Sequence, residues 1–271
     1  MKQLFDQAIF TENNAYLPFA LTDVFTEHAS MTAQEMIHFW QCDQTFILGM
    51  KDTRVTHLQQ GLTQVLQHNY QPVVRNSGGL GVIADKGVLN VSLIFPREET
   101  TTTDSAYEQM MAVTQQAFPE LTIDAYEIVD SYCPGTFDLS VNGKKIAGIA
   151  QRRVKNGVAV MMYLSVNGNQ HQRGEVVRHF YQQSLEEKFG TDGYPAVDPA
   201  CMTTIENVLG QPISIQQTKE RFIQTLGIQP TATDPLQWVK EALHTELLQK
   251  KLTSMQQRNL QIKELNDGYS V

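Results

Sequence analysis

Apolar positions recur along this chain with two different periods, and the changes of period mark its elements. Thr32-Ala-Gln-Glu35 places a hydroxyl and, three residues on, a carboxylate where each can satisfy the other's backbone donor, and Met36, Ile37 and Trp40 follow; the pattern predicts a short helix over 32–41. Thr45 to Met50 is a short apolar run suited to a strand, whereas Leu58, Leu62, Val65 and Leu66 return at helical spacing up to Tyr70. From Gln71 to Pro96 the period drops to two. Leu89, Val91, Leu93 and Phe95 share one face and Asn90 and Ser92 the other, which predicts a half-buried sheet. Ser105-Ala-Tyr-Glu108 repeats the capping pattern, and Tyr107, Met110, Met111 and Phe118 extend it into a second helix over that sheet face.

Asn142-Gly143 and Asn156-Gly157 each sit between strand-like runs, and Asn-Gly takes the positive φ angles of a two-residue hairpin turn. Three antiparallel strands are predicted: Phe137 to Val141, Lys145 to Val154 and Val158 to Val166. Val177, Phe180, Tyr181, Leu185 and Phe189 form a helical stripe, and Gly190 to Pro199 has the composition of a loop. Asp234-Pro235 is a cap followed by proline at the first helical position. Leu236, Val239, Leu243 and Leu247 then make one apolar stripe, a helix docked on the rest. With neither repeat nor linker, the chain reads as one α+β sheet domain with a helical C-terminal segment.

Composition narrows the class. With 271 residues, 41% hydrophobic and 18% charged, the chain suits a globular fold and not a disordered one. A net charge of −8 disfavours nucleic acid as a partner. The absence of an 18-residue apolar run or a signal-peptide pattern in Met1 to Phe10 predicts a cytoplasmic protein without a membrane partner. Cys42, Cys133 and Cys201 are odd in number and lack C-x-x-C spacing, which predicts free thiols. The seven histidines show no ligand spacing, so no metal is expected.

Two loops stand out as candidate chemistry. Arg75-Asn-Ser-Gly-Gly79 joins two predicted strands; Gly78 and Gly79 suit either a plain hairpin turn or a backbone that approaches a ligand. Cys133 lies in Ser131-Tyr-Cys-Pro-Gly135, a turn that would hold a thiol at a strand entrance. A thiol of ordinary pKa is only about 3% ionised at pH 7, so a nucleophilic cysteine needs a cation. Lys145 is the natural partner, because the Asn142-Gly143 hairpin brings it towards the end of the strand that follows Cys133. Arg152, Arg153 and Lys155 form a basic cluster that is either a solvated strand end or a patch steering an acidic partner.

Arg75-Asn-Ser-Gly-Gly-Leu-Gly-Val-Ile-Ala-Asp85, followed by Gly87 and Asn90, resembles the lipoate-protein ligase and biotin-protein ligase superfamily. Phe137-Asp-Leu-Ser-Val-Asn-Gly-Lys-Lys-Ile-Ala-Gly-Ile-Ala-Gln-Arg-Arg153 is similar to a second segment of the same superfamily. The resemblance implies a mixed, largely antiparallel sheet packed with helices, with residues 28–220 as the catalytic domain and 221–271 as the docked helical segment. It implies substrate contacts from Arg75, Ser77, Gly78, Gly79, Asp85, Asp138 and Gly148. Leu80 and Ala84 stand where the ATP-using ligases usually carry Gly and His, which argues against adenylate chemistry. Ser131-Tyr-Cys-Pro-Gly135 is similar to the branch that moves octanoyl groups from glycine-cleavage H protein to lipoyl domains. In that branch the position of Cys133 is the nucleophile and that of Lys145 lowers its pKa, without ATP or metal. Octanoylated H protein is then the donor, and lipoyl domains of 2-oxo acid dehydrogenases are the acceptors, docked on Arg152, Arg153 and Lys155. An acyl carrier protein donor, an ATP-dependent ligase and a lipoyl-domain binding protein without turnover are the alternatives.

Overall fold

The computed structural model describes residues 2–10 and 14–267. In chain order the elements are β1 (Gln3–Phe10), α1 (Leu17–Thr32), β2 (Met36–Cys42), β3 (Thr45–Leu48), α2 (Leu58–Gln67), β4 (Gln71–Val74), β5 (Val82–Ala84) and β6 (Val88–Pro96). There follow α3 (Thr103–Ala117), β7 (Asp124–Ala125), β8 (Leu139–Val141), β9 (Lys144–Val154), β10 (Gly157–Ser165), α4 (Gln170–Leu185), α5 (Ile205–Leu209), α6 (Ile215–Leu226), α7 (Pro235–Glu241), α8 (Thr245–Arg258) and α9 (Leu260–Asp267). Among the described residues they build a seven-stranded sheet, β1-β2-β6-β10-β9-β8-β7, and a three-stranded sheet, β4-β3-β5. Both are mixed: β1 runs parallel to β2 and β4 parallel to β3, while the other pairs are antiparallel. Among these residues no helix is long and apolar enough to cross a membrane.

The helix predicted over 32–41 is corrected to a helix end and a strand. Thr32 closes α1, whose chain leaves through Ala33 at φ 57°, and β2 is buried along its whole length. Buried on both faces between β1 and β6, Met36 to Cys42 has no exposed positions to set a period. β6 is likewise buried on both faces from Val88 to Ile94, so the predicted half-buried sheet is fully covered. The capping box of α3 starts at Thr102, with Ser105 as its third helical residue. The hairpin joining β9 to β10 turns on Lys155 (φ 54°) and Asn156, while Gly157 is already the first strand residue. A Cβ on Gly157 would lie 2.0 Å from the Thr26 carbonyl oxygen, so glycine is required there for α1 to lie against the sheet.

α1 covers one face of the large sheet, where Phe25 stacks on Phe5 of β1 at 4.2 Å and Trp238 of α7 meets both rings edge-on. β1 and the part of α1 that precedes residue 28 thus share this core. α3 and α6 cover the opposite face, and α2 and α4 pack together beside the small sheet. The predicted stripe from Leu236 to Leu247 is broken into two helices at Leu243, which takes φ 58° and is 90% exposed. The C-terminal helices do dock. Asn259, between α8 and α9, accepts from the Val74 N–H at 2.7 Å and donates to the Val74 carbonyl at 3.0 Å. The last four residues of the predicted 221–271 segment lie outside the described residues.

Candidate active site

The β8–β9 hairpin, closed by Asn142 and Gly143 at positive φ, brings Lys145 under the loop that carries Cys133. The Lys145 side chain is fully buried. Its ammonium donates to Ser131 Oγ (3.0 Å) and to the carbonyls of Tyr132 (3.0 Å) and Cys133 (2.9 Å), and pairs with Asp138 Oδ1 at 2.9 Å. Burial pushes the Asp138 carboxyl above its usual range, against the opposing pull of Lys145 and of the Gly135 and Ile128 amides. Lys145 therefore grips the backbone of the cysteine loop; among the described residues it makes no hydrogen bond to Sγ.

Cys133 itself has φ 50°, a left-handed conformation that a cysteine adopts only when its surroundings impose it. Pro134 follows it, and the Lys145 ammonium holds its carbonyl. Its sulfur accepts from the Leu80 N–H at 3.1 Å and from Arg75 Nη2 at 3.4 Å. Burial pushes the other two thiols up, Cys42 to about 12 and Cys201 to about 11, and keeps them protonated.

The Arg75 to Gly79 loop is not a hairpin turn. It arches over β3, because β4 and β5 pair with opposite edges of that strand. Arg75 folds back to donate to the Leu80 carbonyl at 2.9 Å. The loop's far side is fixed by Asp52, which accepts from the Gly49 N–H (2.7 Å) and the Tyr181 hydroxyl (2.8 Å); that hydroxyl in turn accepts from the Gly81 N–H (3.1 Å).

Beside Cys133 opens a largely apolar cavity of about 260 Å³, walled by Phe19, Trp40, Ile47, Val82 and Tyr163 among others. Arg75, Ser77, Gly78, Gly79 and Gly148 line it together with Cys133. Asp138 lies beneath the cysteine loop, paired with Lys145. Asp85 is elsewhere. Its carboxylate pairs with Arg173 and accepts from the Tyr70 hydroxyl, in a separate surface depression. From Arg173 a hydrogen-bonded chain runs through Gln170 (3.1 Å) to the Tyr132 hydroxyl (2.8 Å), next to Cys133. Asp85 thus reaches the site through other side chains. Of the basic cluster, Arg152 is tied bidentately to Asp23 of α1 and Lys155 to Glu27, leaving Arg153 with only the Gln151 carboxamide among the described residues. Sequence patterning missed Trp40, Asn90 and Ser92 as cavity residues. The alternation of Asn90 and Ser92 was the available signal, but it resembles a solvent-facing edge.

The chain matches the lipoyl protein ligase A/B catalytic domain over residues 14–227. It is 43% identical over 217 residues to the octanoyl-[GcvH]:protein N-octanoyltransferase of Oceanobacillus iheyensis, covering 79% of this chain and 78% of that one. Its identity to the protein of the same name from Exiguobacterium sibiricum is 41% over 227 residues, 83% of each chain. Among solved structures it is similar to lipoate-protein ligase A bound with ATP (TM-score 0.69, 17% identity, 93% of this chain and 96% of that one). It is equally similar to protein Ta0514 from T. acidophilum with bound lipoic acid (TM-score 0.69, 15% identity, 95% of each). These two likenesses concern the fold, and they agree with the α+β architecture expected from the sequence.

Proposed function

The chain belongs to the lipoyl protein ligase A/B catalytic domain family, and on that premise we propose that it moves an octanoyl group between protein lysines in lipoylation, through a thioester on Cys133. The observation that carries this reading is the Cys133 sulfur beside an apolar cavity, held by the Leu80 amide and the Arg75 guanidinium. The octanoylated H protein named for the relatives is the donor, and a lipoyl domain is the acceptor. The Cys133 thiolate attacks the carbonyl carbon of the donor's octanoyl-lysine, the C–N bond breaks, and the donor lysine leaves with a proton. The neutral amine of the acceptor lysine then attacks the thioester, the C–S bond breaks and the sulfur leaves as thiolate, and the new amide nitrogen gives up a proton that offsets the one taken by the donor lysine. An amide is exchanged for an amide, so the balance calls for no ATP.

The Lys145 ammonium, 2.9 Å from the Cys133 carbonyl, holds the backbone of the cysteine loop, and the Arg75 guanidinium, 3.4 Å from the sulfur, holds the nucleophile beside the cavity. The Leu80 amide and its neighbours in the glycine loop are placed to take up the oxyanion; removing one such donor typically costs about 3 kcal/mol in the barrier. Arg75, Ser77, Gly78, Gly79 and Gly148 border the acyl chain, Asp138 holds Lys145, and Asp85 acts through Arg173. Of Arg152, Arg153 and Lys155, the first and last are tied to Asp23 and Glu27, and Arg153 is the residue offered to an acidic partner domain.

Intact-protein mass spectrometry after mixing with octanoylated H protein, without ATP, tests the reading. The chain should gain one octanoyl group that an apo lipoyl domain discharges, and Cys133→Ala should gain none while keeping its fold. Acylation from acyl carrier protein alone, or modification of an apo domain only with free octanoate and ATP, would replace it.

A further inference from the structure

One rung of the large sheet crosses the cavity. Gly148 of β9, Tyr163 of β10, Asn90 of β6 and Trp40 of β2 are successive register partners, and all four line it. The next rung adds Ala150, Met161 and Ser92 on the same face. The cysteine loop lies at the Gly148 end, since Lys145, which holds the Cys133 carbonyl, has its Cε 3.5 Å from where a Gly148 Cβ would stand. With strands about 4.8 Å apart, Asn90 is roughly 10 Å and Trp40 roughly 14 Å along the rung from that end.

The remote end is polar. Trp40 Nε1, Asn90 Nδ2 and Ser92 Oγ have no hydrogen-bond partner among the described residues, although Trp40 is 5%, Asn90 6% and Ser92 1% exposed, whereas the Tyr163 hydroxyl, nearer the cysteine on the same rung, interacts with the Tyr132 hydroxyl. Buried donors in a native fold are satisfied, and donors left dry are costly. An extended eight-carbon acyl chain reaches about 9 Å from carbonyl to methyl, with C–C bonds of about 1.5 Å. Its methyl would stop short of these donors.

We infer that Trp40, Asn90 and Ser92 are specificity residues forming a polar stop to the acyl pocket: they bind ordered water beyond the eighth carbon and reject longer, wholly apolar chains. This rests on the acyl-transfer reading and adds to it the chain-length limit and the residues that set it. A longer tail must displace the water and leave the donors unpaired, the situation in which sites discriminate most strongly. Without the donors, two further methylenes would be buried favourably, each contributing about fourfold in affinity.

The test is calorimetric binding of N-methyl octanamide and N-methyl decanamide, which needs no turnover. The unmodified chain should bind the decanamide at least about tenfold more weakly than the octanamide, and Asn90→Leu with Ser92→Ala should bind the decanamide at least as tightly. Ser92→Ala and Trp40→Phe, each removing one donor, serve if the double variant does not fold, and each should narrow the gap. Equal affinities in the unmodified chain, or an unchanged preference in the variants, would overturn the polar stop and leave the transfer reading standing. Binding of neither amide would overturn the transfer reading itself.

Discussion

A methyl group on Gly79 would sit 2.2 Å from Arg75 Nη2 and 2.9 Å from the Cys133 sulfur, on a residue whose φ of 98° disfavours any side chain. Gly79→Ala should therefore push both groups apart and slow acylation of Cys133 by at least about tenfold, readable as the rate of mass gain from octanoylated H protein. Lys145→Met leaves Asp138 buried without its cation and should lower stability by about 3–5 kcal/mol in urea unfolding. Adding Asp138→Leu should recover much of that loss without restoring acylation; recovery of both would make Lys145 purely architectural. The approach of Lys145 to the loop that carries the Cys133 sulfur was legible because the two-residue Asn142-Gly143 turn joins β9 to β8, the strand after that loop. The Arg75 contact to the same sulfur was not, because it is made across two sheets by residues 58 apart in the chain.

At the scale of elements, two buried titratable groups act with opposite signs. His38 of β2 lies between Thr22 of α1 (3.3 Å) and Gln7 of β1 (2.5 Å), and burial depresses its pKa from 6.5 to about 3. Its contribution is present above pH 6.5 and is lost as pH falls towards 3, because the unfolded chain takes up the proton first. Burial raises Asp52 from 3.8 to about 6, so its contribution is present below 3.8 and is lost as pH rises through 6. Measured against the unmodified chain between pH 7 and 4, His38→Gln should become relatively more stable by about 3 kcal/mol. Over the same range Asp52→Asn should become relatively less stable by about 2 kcal/mol. Parallel pH profiles for all three proteins would refute both assignments. The strand that carries His38 is also the element least legible in sequence. Its neighbours cover both faces, and the cap-like Thr32 and Glu35 before it belong to the exit from α1 and not to a helix entrance. β9 and β10 were easier to read, because the Asn-Gly dipeptides punctuate them even though the second turn is shifted by one residue.

For the whole molecule, a charge of −8 makes local basic surface matter more than its size suggests. Asp23 pairs with Arg152, and Glu27 is shared between Lys155 and Lys251, whereas Arg153 pairs with no carboxylate among the described residues, so Arg153→Glu should slow transfer to an acidic acceptor domain by several-fold at low salt. The effect should shrink towards 0.5 M salt, as exposed charges are screened. A rate unchanged at every salt concentration would leave the cluster as solvated surface.

The Asn259 carboxamide carries a further consequence. Val74 lies on the outer side of β4, the border of the small sheet, and an uncovered border strand offers its N–H and C=O groups to any passing chain. By occupying both groups, Asn259 serves as a decoy strand that guards the fold against growing into its own copies. Chains ending before α8 should accordingly form larger species in sedimentation as concentration rises, and Asn259→Ala should do so more weakly, even if Cys133 remains reactive in each.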